Sequence, residues 1–264
     1  MGKYWAFWLA SIQTTLTYRG PIVIWLLNNL VSTGMIILVW LAASAGSRIG
    51  GYTQPELITY YVAGLFLHWL NGWLPFYNVS SEIKDGRIVV GALSKPYSYY
   101  WSTFFEELGW HTVSVWVGLL ASLFLSLFWG QYLVFHLGQT NLFGLILAIG
   151  LSIGVTYGFS LCMGLLAFWF TTIDAFESFF WICRSILGGT AIPLSFVPET
   201  FQLVVRVLPF RYMFSFPLEV YLGKLSTGGL LFGLGMQLVW SVGLFGLYRL
   251  MWQKGRRIYT AFGQ

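Results

Sequence analysis

The stretch PIVIWLLNNLVSTGMIILVWLAA, Pro21 to Ala43, decides the fold. Its 23 residues include no charged side chain. An α-helix needs about 20 mostly apolar residues to cross the hydrocarbon core of a bilayer. Backbone groups find no water there, so a spanning segment must satisfy its hydrogen bonds within itself. Pro21 suits the first turn of such a helix, where its missing N–H has no intrahelical partner to lose. The stretch therefore reads as a membrane-spanning helix.

Comparable runs recur outward from it, at about Glu56–Tyr77, Leu108–Trp129, Asn141–Phe170, Phe176–Leu194 and Gly228–Trp252. A transmembrane barrel would alternate apolar and polar residues in segments of about ten, whereas these runs are continuous. The chain is 57% hydrophobic, 20% aromatic and 9% charged, with a mean hydropathy of +0.72. A soluble domain carries about a quarter charged residues and has no way to hide so much apolar surface. The expectation is an all-α membrane protein with six transmembrane helices, forming one domain over residues 1–264. Its fourteen Trp and fifteen Tyr suit the membrane–water boundary.

Ahead of the first span, Trp5, Trp8, Leu9, Ile12 and Leu16 recur at three- and four-residue steps. That pattern predicts an amphipathic helix over 1–20 lying in the membrane surface and ending near Arg19-Gly20-Pro21. An extension of the first span is the other reading. The run YWAFWLASI is aromatic-rich and no small-residue cleavage site follows it, which argues against a cleavable signal peptide.

The net charge of +5 follows the positive-inside rule. With the N-terminus cytoplasmic, Lys3, Arg19, Lys84, Arg87, Lys95, Arg184, Arg249, Lys254, Arg256 and Arg257 fall inside or near the inner ends of spans. Arg48, Arg206, Arg211 and Lys224 fall outside. Both termini are therefore expected in the cytoplasm. No basic patch with interleaved aromatics stands outside the apolar runs, so nucleic acid is not an expected partner.

Two connecting segments are long. One, about 78–107, contains SSEIKDGRIVVGALSKPYSYYW, Ser80 to Trp101. It places Glu82, Lys84, Asp85 and Arg87 within six residues of a chain that has little charge elsewhere. Ile83, Ile88, Val89, Val90 and Leu93 line one side of a short helix, which Gly86 and Gly91 interrupt and Lys95-Pro96 stops. Either a docking element or a solvated loop with an interfacial helix fits that pattern. The other segment, about 195–227, contains Pro198, Pro209 and Pro217, with Pro193 just before it, yet stays rich in Phe, Leu and Val. Short half-helices dipping into the outer leaflet satisfy both facts.

Several chemistries are missing. No G-x-x-x-x-G-K-[ST] loop is present to cradle ATP phosphates, and no H-E-x-x-H or G-x-S-x-G motif occurs. Cys162 and Cys183 read as free thiols in apolar surroundings, and His68, His111 and His136 lie far apart in sequence. Asp174, Glu177, Glu106 and Glu107 fall near predicted span ends, within reach of water. Glu106, Glu107 and His111 lie within one and a half helical turns, which leaves an alternative: an integral membrane enzyme using them as an acid–base group on lipids at the inner leaflet. Gly150, Gly154 and Gly158 repeat at four-residue steps, as do Gly229 and Gly233. Such spacing forms tight helix seams, although thirty glycines also produce it by chance.

The order IKDGRIVVGALSKP, followed by aromatics and a new span, resembles permease subunits of type-2 ATP-binding-cassette exporters, and more narrowly an uncharacterised two-permease family. Gly86, Ile88, Leu93, Lys95 and Pro96 occupy the matching positions, with Ser94 and Tyr97 as departures. GGTAIPLSFVPETFQLVVRVLPFRYMFSFPLEVYLGK is similar to a second family pattern through Gly188 or Gly189, Pro193, Leu194, Pro198, Leu208, Pro209, Phe210, Pro217 and Gly223. The resemblance implies that the charged cluster is a coupling helix seated on a separate ATPase subunit. Glu82, Lys84, Asp85 and Arg87 would set its register, Gly86 would break it, and Ile83 and Ile88 would fill the partner's groove. The N-terminal helix would meet that ATPase too. Pro193, Pro198, Pro209, Phe210 and Pro217 would build an extracellular gate. No cofactor is expected in this chain, since ATP and Mg would sit on the ATPase. A second permease chain, identical or different, would complete the pathway in a bacterial inner membrane, for a lipid-like or amphipathic cargo in contact with membrane lipids.

Overall fold

The computed structural model describes residues 2–44, 48–72, 75–88, 96–134 and 142–259. Among these residues the protein is helical, with no strand beyond a bridge between Ile49 and Tyr52. The helices are α1 Gly2–Thr17, α2 Arg19–Ser44, α3 Gln54–Asn71, α4 Phe76–Lys84, α5 Tyr99–Trp129, α6 Leu142–Leu165, α7 Asp174–Leu187, α8 Glu199–Val207, α9 Pro209–Met213, α10 Ser215–Tyr221 and α11 Thr227–Ile258.

Four are long and apolar enough to cross a bilayer: α2, α5 with the turn that follows it, α6 with its own following turn, and α11. They turn apolar side chains outward, as lipid-facing helices do. Ile24, Leu27, Val31 and Leu38 of α2 are exposed, as are Val239, Val242 and Leu250 of α11. The other two predicted spans are of a different kind. The second breaks after Asn71, so α3 and α4 share what reads as one run in sequence. α3 carries Glu56, His68 and Asn71, yet twelve of its residues are buried. It sits against α2, α5, α6 and α10, and protein rather than lipid surrounds its polar groups. α7 has 14 residues, about 21 Å at the α-helical rise and too short for the hydrocarbon core. Its side chain Arg184 is 1% exposed. That residue therefore belongs to the interior of the bundle and not to a basic cytoplasmic end.

The segment expected over 78–107 is also divided differently. α5 begins at Tyr99, nine residues before the predicted span, so Glu106 and Glu107 lie within a continuous helix and Glu107 is 5% exposed. At the N-terminus α1 is a separate helix, as its period predicts, but it packs along α5. Trp8 Nε1 donates to Thr112 Oγ1 at 3.1 Å, and Tyr4 stacks on Phe105. Arg19-Gly20-Pro21 forms the opening turn of α2.

Contacts sort the helix ends into two groups. Lys3 Nζ donates to the Pro96 carbonyl at 3.0 Å, Tyr99 to Glu82, and Tyr259 to Ile83. The starts of α1 and α5 and the ends of α4 and α11 therefore share one end. At the other, Lys224 pairs with Glu56 at 2.6 Å, donates to the Gly51 carbonyl, and lies 4.8 Å from the Tyr52 ring centre. Burial, then the nearby carboxylates of Glu219 and Glu56, push the Tyr52 phenol well above its ordinary range. It remains a neutral ring beneath the ammonium.

The proline-rich segment is a chain of short helices, as its composition predicts. Pro198 precedes α8 and Pro209 opens α9. The segment is tied to α3: Tyr60 donates to the Gly189 carbonyl at 2.7 Å and Tyr61 to that of Ala191 at 2.8 Å.

Candidate functional site

The charged cluster folds into a small exposed tip. Helix α4 ends as the Asp85 N–H bonds the Ser81 carbonyl at 2.8 Å. Gly86 then takes φ of +73°, a left-handed conformation that costs other L-residues energy. The turn brings the Arg87 guanidinium to Asp85 at 3.0 Å and to Ser81 Oγ at 2.6 Å. Arg87 and Asp85 are 61% and 55% exposed, and such a pair adds little stability. Its charges stand available to a partner along with that of Lys84, which is also exposed.

Ile83 and Ile88 do not join them. They are 3% and 1% exposed and pack with Val79, Tyr99, Tyr157 and Leu161 in this chain's own core. The amphipathic pattern is real, but its apolar side is already occupied, so these residues have no surface left with which to fill a partner's groove. Glu82 is committed as well, since its carboxylate accepts from Tyr99 at 2.7 Å. The exposed part of the expected coupling element reduces to Lys84, Asp85 and Arg87, with Gly86 half-buried at the turn between them. Val89, Val90, Leu93 and Lys95 lie outside the described residues.

The tip is braced from behind. The Tyr259 phenol donates to the Ile83 carbonyl at 3.0 Å. Tyr99 stacks on Trp252 of α11 with ring centres 4.7 Å apart, and Phe168 meets Tyr259 edge-on. The tip is thus in direct contact with α5 and with the end of α11.

Midway through the bundle lies a belt of buried polar groups that the sequence did not reveal. Asn71 Nδ2 donates to Ser152 Oγ at 2.9 Å and to the Met213 carbonyl at 3.1 Å. Arg184 Nη2 donates to the Asn71 carbonyl at 3.1 Å, while its Nε and Nη1 are buried with no partner among the described residues. Gln237 Nε2 bridges the carbonyls of Ala148 and Tyr212. A single Asn, Gln or Arg carries no periodicity, so only the buried environment exposes the role.

The expected glycine seam is partial. A Cβ on Gly158 would lie 3.1 Å from Leu244 Cβ, and one on Gly154 would lie 3.5 Å from Ser241 Oγ, so both face α11. Gly150 meets nothing within 4 Å. A tighter seam lies at Gly118, where a Cβ would fall 2.6 Å from Trp69 Cβ and part α5 from α3.

Of the expected gate residues, Pro193 precedes a turn of 3-10 helix, Phe210 packs against Phe159 and Phe180, and Pro217 lies in α10. Pro217 and Leu218 help line an apolar cavity of about 380 Å³ between α3, α5, α6 and α10. Towards the end that carries the tip, a second cavity of about 560 Å³ opens between α1, α2 and α5, and Glu106 and Glu107 line it. A third, of about 460 Å³, lies beside His68, Trp69 and Trp181. Trp25 and Trp110 line both of these and stand edge to face at 6.0 Å. Glu106 and His111, grouped in sequence, line different cavities. His111 faces a narrow one with Asn71, Thr156 and Glu107, and Glu107 alone borders both. No group of His, Cys, Asp and Glu among the described residues is arranged to hold a metal ion, and Cys162 and Cys183 are free thiols.

No curated protein matches the chain. The family model described as "ABC-2 family transporter protein" matches residues 30–263. That match runs from the middle of α2 to beyond the end of α11 and takes in the tip, the polar belt and the proline-rich segment. The chain belongs to the ABC-2 transporter family and is a multi-pass permease subunit of such a transporter.

Proposed function

We propose that this permease works as half of the membrane pathway of an ATP-driven exporter. In this reading it crosses a bacterial inner membrane six times, with α3–α4 and α7–α10 completing the crossings that the four long helices begin. Both termini face the cytoplasm. Lys84, Arg87, Arg249, Lys254, Arg256 and Arg257 then sit on the inner side, while Arg48, Arg206, Arg211 and Lys224 sit on the outer side, in accord with the distribution of basic residues in membrane proteins. ATP and Mg bind to a separate ATPase subunit. A second permease chain, identical or different, closes the other half of the pathway. The cargo is lipid-like or amphipathic, in keeping with apolar cavities that adjoin lipid-facing helices.

The observation that carries this reading is the exposed Lys84–Arg87 tip braced onto α5 and α11. A loop meant only to connect two spans has no need of such bracing. Closure of the ATPases would push the tip, and α5 and α11 would follow as rigid bodies, because packed helices shift between discrete arrangements more readily than they deform. Pro193, Pro198, Pro209, Phe210 and Pro217 then form the moving outer gate.

The test is reconstitution with the ATPase in liposomes carrying a fluorescent lipid. We expect ATP-dependent lipid movement, abolished along with stimulated ATP hydrolysis by Asp85→Ala/Arg87→Ala. Lipid turnover by the purified chain alone would contradict the proposal and favour a membrane enzyme.

A further inference from the structure

The cavity between α1, α2 and α5 has a composition unlike the others. Glu106 and Glu107 lie side by side on its wall, and no ion pair among the described residues reaches either. Glu107 is 5% exposed and borders both this cavity and the narrow one beside His111, and its Oε2 is buried with no hydrogen-bond partner. Burial disfavours the charged form of two neighbouring carboxyl groups, and a cation that joins them restores it. Phe7 of α1 and Trp25 of α2 add aromatic rings to the lining, and Trp110 stands one turn from Glu106 on α5 itself. Ring faces attract ammonium groups, and more strongly where water is excluded.

The cavity also has a fixed shape. Gly109 lets α1 approach α5, since a Cβ there would fall 2.7 Å from the Trp8 carbonyl oxygen. The Trp8–Thr112 hydrogen bond of 3.1 Å holds that approach. Its volume of about 560 Å³ falls within the range of small-molecule sites. Apolar side chains of α2 continue from its rim along the lipid-facing surface, where an acyl tail can lie.

We propose that this cavity binds the cationic ammonium head of an amphiphile, with Glu106 and Glu107 as counter-ions and Trp25 and Trp110 against the alkylated nitrogen. This deepens the exporter reading by naming a cargo class, and it rests on that reading only for the step of transport.

The test is photo-crosslinking of the purified chain in dodecylmaltoside with a diazirine-tagged alkyltrimethylammonium. An alkylphosphate of equal length is run in parallel, and adducts are mapped by mass spectrometry. The cationic probe is expected to label the peptides around Phe7–Trp25 and Glu106–Trp110, with decyltrimethylammonium competing and decylphosphate not. Glu106→Gln/Glu107→Gln should cut that labelling about tenfold, the equivalent of one ion pair at about 1.4 kcal/mol. Glu106→Gln alone, at a half-buried position that folding tolerates, should cut it severalfold. Equal labelling by the phosphate probe overturns the proposal, as does unchanged labelling in a folded Gln variant. The assay needs no nucleotide or ATPase, so its failure leaves the transport reading standing. A chain that takes the probe but moves nothing in the reconstituted complex counts against the transport reading alone.

Discussion

Tyr259, just past α11, donates a hydrogen bond of 3.0 Å to the carbonyl of Ile83, beside the exposed tip that follows α4. It joins two parts of the chain 176 residues apart. Tyr259→Phe removes that donor and keeps the ring, so it should cost about 1 kcal/mol of stability. In a reconstituted complex, its larger effect should be a severalfold weaker coupling of ATP hydrolysis to transport. Comparing melting temperature with coupled ATPase activity checks both.

Arg184 has one hydrogen bond, to a neutral carbonyl, and lies 5.4 Å from the Trp181 ring centre, with two buried nitrogens lacking hydrogen-bond partners among the described residues. A buried charge so poorly compensated is a burden on the fold. Arg184→Met keeps the volume and removes the charge, so it should raise the melting temperature of the purified chain. Arg184→Ala leaves a cavity and should lower it. A loss of transport in a stabilised Arg184→Met would mark the cation as retained for function.

Gly118 and Gly150 give opposite expectations for one substitution. Gly118→Ala drives a methyl into Trp69 and should cost about 1–3 kcal/mol. Gly150→Ala meets open space and improves helix propensity, so it should stabilise by up to about 1 kcal/mol. Thermal unfolding of the two variants in the same detergent distinguishes them.

Lys224 ties the loop at Gly51 and Tyr52 and the first turn of α3 to the segment that leads into α11. Lys224→Met should cost about 1–3 kcal/mol and speed proteolysis between α8 and α11. Limited digestion of variant and wild type reads this directly.

The elements that were legible in sequence are those with a single environment. α2 and α11 face lipid along most of their length and α6 over its first turns, and in all three an unbroken apolar run announces the helix, while prolines mark the starts of α8 and α9. α3 was harder, because protein surrounds it and its Glu56, His68 and Asn71 lower its hydropathy without exposing them to lipid. α7 reads as a full span by composition, but its helix has 14 residues and places Arg184 inside the bundle. Ile83 and Ile88 show the limit most plainly. Their spacing predicts an apolar face correctly, but a pattern does not say whether the chain itself or a partner covers that face. Glu107 was expected near water at a span end, but α5 starts nine residues earlier and packs along α1, which places Glu107 inside the bundle instead.

The most direct test places a photoreactive benzoylphenylalanine at position 84 or 87 in the assembled transporter in native membranes. Illumination should produce an adduct with the ATPase subunit at both positions, and not from position 203, on the exposed face of α8. Absence of any adduct from 84 and 87 in an active complex, or labelling of those positions by a reagent confined to the outer face of the membrane, would contradict the claim that the motor's force enters the permease at this tip.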